Sequence, residues 1–440
     1  MFAVMETHGV GVLPVLNFMK RVTFWVVFIA TLPFVNSCKN RNEIPEENGN
    51  NKFLSFIGSD SLSTEFIFSE EGTVILNMTE SQIDAKIKLS DIMEVYRLLS
   101  LKNWEGGVVG DIDKILISDS LVFILDQYTY NSLQIFDLFT GEQKGLLIPT
   151  GEGPGEMKSI SEFDLDEENH RILIYDNSLA KVLHFSFEGD FLFEKRLPIR
   201  AHSFKVISEN QFLFSSINDG NEHLGKTSKS DLFLLDSNFK ILKTFLYPSI
   251  DQSFSSYIPR DVLRENGDFL TYFPRFSNEL LEVDVDKNSL STIFQVNLGP
   301  RGLSQEDLNS IGPEFTTKRK EDKKFYGFGF HFISPTWMGM RFNRSGGPEL
   351  QLFYNKVTQE VFSGTRVEFD FEDLIFYSFP MACRGNMCIS SVRISQLRDI
   401  DLNDFFSKRE KDGREFTSIK SFLDKVEDFE QPVLLIFDLK

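Results

Sequence analysis

The sequence predicts an all-β fold, a ring of six blades closed by an N-terminal strand and carrying short helical insertions. Three observations lead there. Beyond residue 100, short apolar runs alternate with Gly, Asp and Asn breakers and helical periodicity is mostly absent, as in all-β chains and not in βαβ units. Two consecutive stretches match each other: LVFILD (121–126) then LQIFDLFTG (133–141), and RILIYD (171–176) then VLHFSFEG (182–189). Each is a strand ending in Asp, a polar loop, a second strand and a Gly turn. The second strand recurs as LFLLD (232–236), LLEVD (280–284), LQLFY (350–354) and LLIFD (434–438).

Taking Asp137, Ser186, Asp236, Asp284, Tyr354 and Asp438 as equivalent gives steps of 49, 50, 48, 70 and 84 residues. A multi-stranded unit of that size is a β-propeller blade, whereas helical solenoid repeats are shorter and show a 3.6-residue period. Six copies mean six blades, within a propeller expected over residues 85–440. The two long steps are insertions, at Gly299–Lys324 and at about Gln396–Glu430, where Asp401–Phe406 and Ser418–Val426 read as short amphipathic helices. Long loops on a rigid scaffold are also where function tends to sit.

If LLIFD is the third strand of the last blade, the chain ends before supplying a fourth and leaves an open edge. Glu94-Val95-Tyr96-Arg97-Leu98-Leu99 is expected to pair with the C-terminal strand and fasten the ring. Residues 53–84, with the runs Phe66-Ile67-Phe68 and Val74-Ile75-Leu76, are expected to add strands or a hairpin outside it.

Composition bounds the function. The 440 residues are 41% hydrophobic and 25% charged, a globular composition, and the 46 Phe supply bulky filler for packed sheets, as at Phe191, Phe193, Phe212 and Phe214. Net charge is −19. Nucleic acid demands a basic surface and is excluded as a partner. The one dense basic run, Lys318-Arg319-Lys320 with Lys323 and Lys324, is broken by Glu321 and Asp322 and reads as a solvated loop.

The N-terminal residues carry an address. From Met19, read as the true start, come Lys20 and Arg21, an apolar run from Val22 to Ile29, and then Val35-Asn36-Ser37-Cys38. This is a secretory signal over residues 1–37, too short and Pro-interrupted for a membrane span. A small residue directly before Cys resembles the lipobox of bacterial lipoproteins, so Cys38 is expected to carry lipid and begin the mature chain. Residues 38–52 read as a flexible tether. Lys39 follows the cysteine, without the Asp of inner-membrane retention, which points to the outer membrane.

Cys383 and Cys388 bracket Arg384-Gly385-Asn386-Met387, a spacing that suits a tight hairpin with the sulfurs facing each other. With an export signal upstream, a disulfide is expected, its Cα atoms within roughly 4.4–6.8 Å.

GEGPGEM (151–157), FDLD (163–166), RILIYD (171–176), VLHF (182–185) and EGDF (188–191) resemble an NHL repeat, well over one blade and partially over the preceding one. Together with the lipobox, the EVYRLL strand and the C-terminal PVLLIFDLK, this order of elements is similar to the six-bladed β-propeller lipoproteins of bacterial cell envelopes. The resemblance covers roughly residues 85–440. It implies a fold and an envelope location and carries over no biochemical activity.

Candidate sites are few. Glu152-Gly153-Pro154-Gly155-Glu156 lacks the Lys-Ser/Thr of a phosphate loop and reads as an inter-blade turn whose two carboxylates are able to face a ligand. The histidines show no HExxH and no close pair, no nucleophile signature stands out, and no catalytic residue, metal or cofactor is assigned. Asp126 and Asp176, at equivalent strand ends, are expected to accept hydrogen bonds from turn amides. Trp104 and Trp337 are the tryptophans beyond the signal. The expectation is a monomeric, lipid-anchored propeller that binds a protein, peptide or glycan. The alternative is a propeller enzyme of the lyase or lactonase kind, with a divalent ion held in the central channel by carboxylates and Asn.

Overall fold

The computed structural model describes residues 64–440 apart from 71, 105–106, 217–219, 246–260, 268, 310–322, 345, 372–376, 394–416, 425 and 427–430. The signal, Cys38, the tether and Asp401–Phe406 lie outside the described residues.

Six antiparallel sheets form a six-bladed β-propeller. In order from the channel outward, blade 1 is Lys114–Ser118, Leu121–Asp126, Ser132–Asp137 and Gln143–Leu147. Blade 2 is Glu162–Asp166, Arg171–Asp176, Lys181–Ser186 and Phe191–Arg196. Blade 3 is Ser203–Ser208, Gln211–Ser215, Leu232–Asp236 and Ile241–Phe245. Blade 4 is Leu263–Asn266, Phe269–Tyr272, Glu279–Asp284 and Ser289–Asn297. Blade 5 is Phe325–Ile333, Trp337–Arg344, Leu350–Asn355 and Val361–Gly364. Blade 6 takes Ala382–Arg384, Met387–Val392 and Val433–Leu439 from the C-terminal side and its outer strand, Met93–Ser100, from the N-terminal side.

That last pairing runs from Val433 opposite Ser100 to Leu439 opposite Met93, so the ring closes where the sequence places the closure. Trp337 of blade 5 adds a bond from its indole N–H to the Lys440 carbonyl, 2.5 Å.

The hydrophobic core lies between blades rather than at the centre. Phe123, Leu125 and Ile135 of blade 1 meet Phe163, Ile172 and Ile174 of blade 2, and an equivalent apolar layer separates every neighbouring pair round the ring. Period-two alternation produces this, because successive residues of a strand face the two neighbouring blades.

The repeating Asp also has a local cause. Asp137 accepts from the amides of Phe139 and Thr140, and Asp236 from those of Asn238 and Lys240, each capping the turn into the outer strand. In blade 5 the cap is Asn355, which accepts from Val357 and Thr358. The equivalent position is therefore Asn355 and not Tyr354, one residue later than the apolar pattern suggests.

Residues 64–100 form a belt. Thr64–Glu65 pairs parallel to the outer strand of blade 3, and Ile67–Ser69 and Val74–Asn77 pair parallel to that of blade 4. The helical turn Glu80–Ile83 and the strand Lys86–Lys88 pass beside blade 5, where Ser363 donates to the Gln82 carbonyl. The chain then becomes the outer strand of blade 6. Among its described residues the extension thus adds parallel edge strands and no hairpin. In the last blade, the helix Thr417–Leu423 inserts before the third strand and buries Ile419 and Leu423 against blades 5 and 6.

Candidate functional site: the central channel

The six innermost strands surround a cavity of about 510 Å³. The first strand of blade 2, Glu-Phe-Asp-Leu-Asp, explains how charge enters it. Alternation directs Phe163 and Leu165 into the core against blade 1, and so turns Glu162 and Asp164 the other way. Lys114, Lys205, Arg264 and Glu265 occupy comparable first strands in blades 1, 3 and 4, and Asp261 lies two residues before the first strand of blade 4.

Ion pairs join these groups from blade to blade. Lys114 lies 2.8 Å from Glu162 and 3.4 Å from Asp261, and donates to the Phe163 carbonyl. Lys205 lies 2.8 Å from Asp164 and 3.3 Å from Glu265, while Asp164 also accepts from the Val206 amide. Arg264 pairs with Asp261 at 2.8 Å and donates to the Met381 carbonyl of the loop entering blade 6. Asn266 donates to the carbonyls of Ile333 and Gly385, reaching blades 5 and 6.

Burial works against charge here. Desolvation raises the Glu162 carboxyl to about 7, with Lys114 opposing the shift. Glu265 is also pushed up by burial. Burial disfavours the charged forms of Lys114 and Lys205, yet their carboxylate neighbours outweigh it and raise both above the ordinary lysine value. His331 is held down at about 3 by burial and stays neutral, with its ring nitrogens against Thr271 Oγ1 and the Gly329 carbonyl.

The recess reaches Glu167, Glu168, Ser208 and Gly267, where first strands turn into second strands. Arg384 spans that end. Its guanidinium bonds Glu167 at 2.8 and 3.0 Å, Asp119 at 3.2 Å and the Ile117 carbonyl at 3.2 Å, so one side chain links blades 6, 1 and 2. The hairpin that carries it turns on Gly385, at φ +58°, as two-residue turns with glycine first require. A disulfide joins Cys383 and Cys388 across that hairpin, with the Cα atoms 4.1 Å apart. This is shorter than the expected range because the two residues are direct cross-strand partners.

Chemically, the channel is a set of matched charges. Glu162, Asp164, Asp261 and Glu265 all face a lysine or arginine, and among the described residues no group of three His, Cys, Asp or Glu is placed to hold a metal ion. This network is not apparent from the sequence alone. Its signal is a charged residue in the first strands of blades 1 to 4, as in DKILIS (113–118) and SFKVIS (203–208), which becomes visible only when first strands are aligned with each other.

The other sequence candidates lie elsewhere. None of Glu152, Gly153, Pro154, Gly155 and Glu156 lines the recess. Glu156 accepts from the Gly153 amide, Glu152 pairs with Lys158, and Gly155 donates to Glu194 on the outer strand of blade 2, so the turn packs against that blade's rim. Asp126 accepts from the amides of Gly110, Asp111, Thr129 and Tyr130, and Asp176 from those of Lys158, Ser159 and Leu179, each fixing two loops of its blade. Trp104 is 54% exposed and Trp337 is buried.

The family model of a domain of unknown function (DUF4934) matches residues 73–438. Among solved structures, a Bacteroides fragilis protein whose export is inferred is similar with a TM-score of 0.66 at 17% identity, over 83% of this chain and 100% of its own. A member of the DUF4221 family from Bacteroides vulgatus is similar with a TM-score of 0.47 at 10% identity, over 79% of this chain and 97% of its own. No curated protein matches the chain. At 17% identity the likeness to the Bacteroides fragilis protein is one of fold.

Proposed function

The chain belongs to the DUF4934 family, and from that premise we propose that it is a non-catalytic binding module of the bacterial cell envelope, tethered through lipid on Cys38. Its propeller presents a preformed polar recess to a protein, peptide or glycan. One observation carries the reading: the channel's carboxylates are spent on ion pairs that stitch blades together, leaving a recess of about 510 Å³ rather than an acid and base poised for chemistry. The export inferred for the Bacteroides fragilis fold neighbour fits an envelope address, as do Lys20, Arg21, the apolar run after them and Ser37-Cys38.

The test is a photoreactive residue at Glu168, on the recess, and another at Glu188, on an outer turn. Irradiated in intact cells, the first should give a discrete adduct and the second none. A stoichiometric divalent ion in tag-free protein, bound by residues of several blades, would overturn the binding reading in favour of the propeller enzyme.

A further inference from the structure

The rim of the ring shows how its outer strands accept company. Blade 3 takes Thr64–Glu65 beside Lys243 and Thr244, and blade 4 takes two successive strands, all parallel to the edge they join. A bulge in the third-to-fourth strand pairing does not prevent this, since blades 3 and 4 both carry one. Blade 2 has the same bulge, yet among the described residues Phe191–Arg196 pairs only with Lys181–Ser186 and leaves its outer side open.

Open edges are normally guarded by charge, proline or a covering segment. Blade 1's outer strand carries Lys144 and Gly145, and Lys102 bridges to Glu142 at its start. The outer strand of blade 6 carries Glu94 and Arg97. Blade 2's begins with two consecutive exposed apolar residues, Phe191 at 42% and Leu192 at 46%, and gathers its charges at the other end, where Glu194 pairs with Lys181, Lys195 donates to the Ser237 carbonyl and Arg196 is exposed.

We infer that the outer edge of blade 2 is a strand-addition site for an extended segment of another chain, running parallel to Phe191–Arg196, apolar at its start and acidic at its end. The polarity follows the strands already on the rim. The chemistry follows the alternation, because side chains of adjacent strands stand side by side on the same face. Phe191 and Leu192 then offer apolar contact on both faces, and Arg196 faces the partner's last residues. Such additions draw affinity from main-chain hydrogen bonds and specificity from alternate side chains. The inference does not depend on what the channel recess holds.

The probe is acetyl-Thr-Val-Val-Thr-Thr-Glu-Glu-amide, mixed with the full mature chain and followed by hydrogen exchange. Amides of 191–196 should exchange at least tenfold more slowly with peptide, and Leu192→Lys should abolish the effect without moving the thermal midpoint. Arg196→Glu should transfer the preference to the same peptide ending in Lys-Lys. No slowing, or equal slowing by both peptides on the wild type, would overturn the proposal. So would protection without peptide that disappears when residues 1–63 are removed, which would give the edge to the chain's own N-terminal residues.

Discussion

Lys114 of blade 1 and Asp261, at the entrance to blade 4, belong to opposite sides of the ring and stand 3.4 Å apart across the channel. With Glu162 on the same lysine, this makes Lys114 the only cation bonded to both acids among the described residues. Lys114→Met removes the charge and leaves buried Glu162 and Asp261 without it. Breaking a buried pair from one side costs about 3–5 kcal/mol, and denaturant unfolding should register a loss of that order. A loss below about 1 kcal/mol would mean that the channel charges do not hold the ring.

Stability should also vary with pH through Glu162. Its folded carboxyl titrates at about 7, above the ordinary value of 4.5, so between those values the folded state holds a proton the unfolded chain has released. Its contribution is therefore full below about 4.5 and lost as pH rises towards 7. Glu162→Gln should flatten that part of the profile in unfolding midpoints measured from pH 4.5 to 7.5. An unchanged slope would contradict the assignment.

Removing Val433–Lys440 takes out a strand bonded on both sides, to Met387–Val392 and to Met93–Ser100. Two edges open at once, and the Trp337 indole loses its acceptor. Chains ending at Pro432 should aggregate, as sedimentation will show, instead of remaining monomeric with reduced stability.

The Cys383–Cys388 bridge closes a very short loop, so it removes little unfolded-state entropy. Replacing both residues with Ser should cost about 2 kcal/mol or less. Intact-mass analysis of protein taken from the envelope should find the oxidised pair, and two free thiols there would rule the bridge out.

The proposed anchoring rests on one atom. Labelling with a fatty-acid analogue should mark the wild type and spare Cys38→Ala. Label surviving the substitution would refute lipidation at that residue.

What was legible in the sequence was local. Asp137, Asp236 and Asp284 each satisfy amides a few residues onward, so the turn leaves a repeating mark in the chain. The mark slips at Tyr354 because Asn355 does the same work with a different letter. The channel was not legible, because a lysine within an apolar strand reads as solvent-facing until its partner is known, and Asp261 lies three blades away. Phe191 packs edge-on against Phe185 as expected yet stays 42% exposed, which was illegible for a similar reason: alternation gives its face, while its position on an outer strand, which decides exposure, is set by the whole blade.

The belt constrains when the molecule can assemble. Thr64 finds its partner only when Lys243 exists, Ile67 waits for Ser289, and Met93–Ser100 waits for Val433–Leu439. Contacts this distant in sequence make loop closure costly and folding slow. A chain emerging from its N-terminus cannot complete blade 6 until Val433–Leu439 is available. The topology thus leaves the ring open until Val433–Leu439 has arrived, and commits the chain to closure only then.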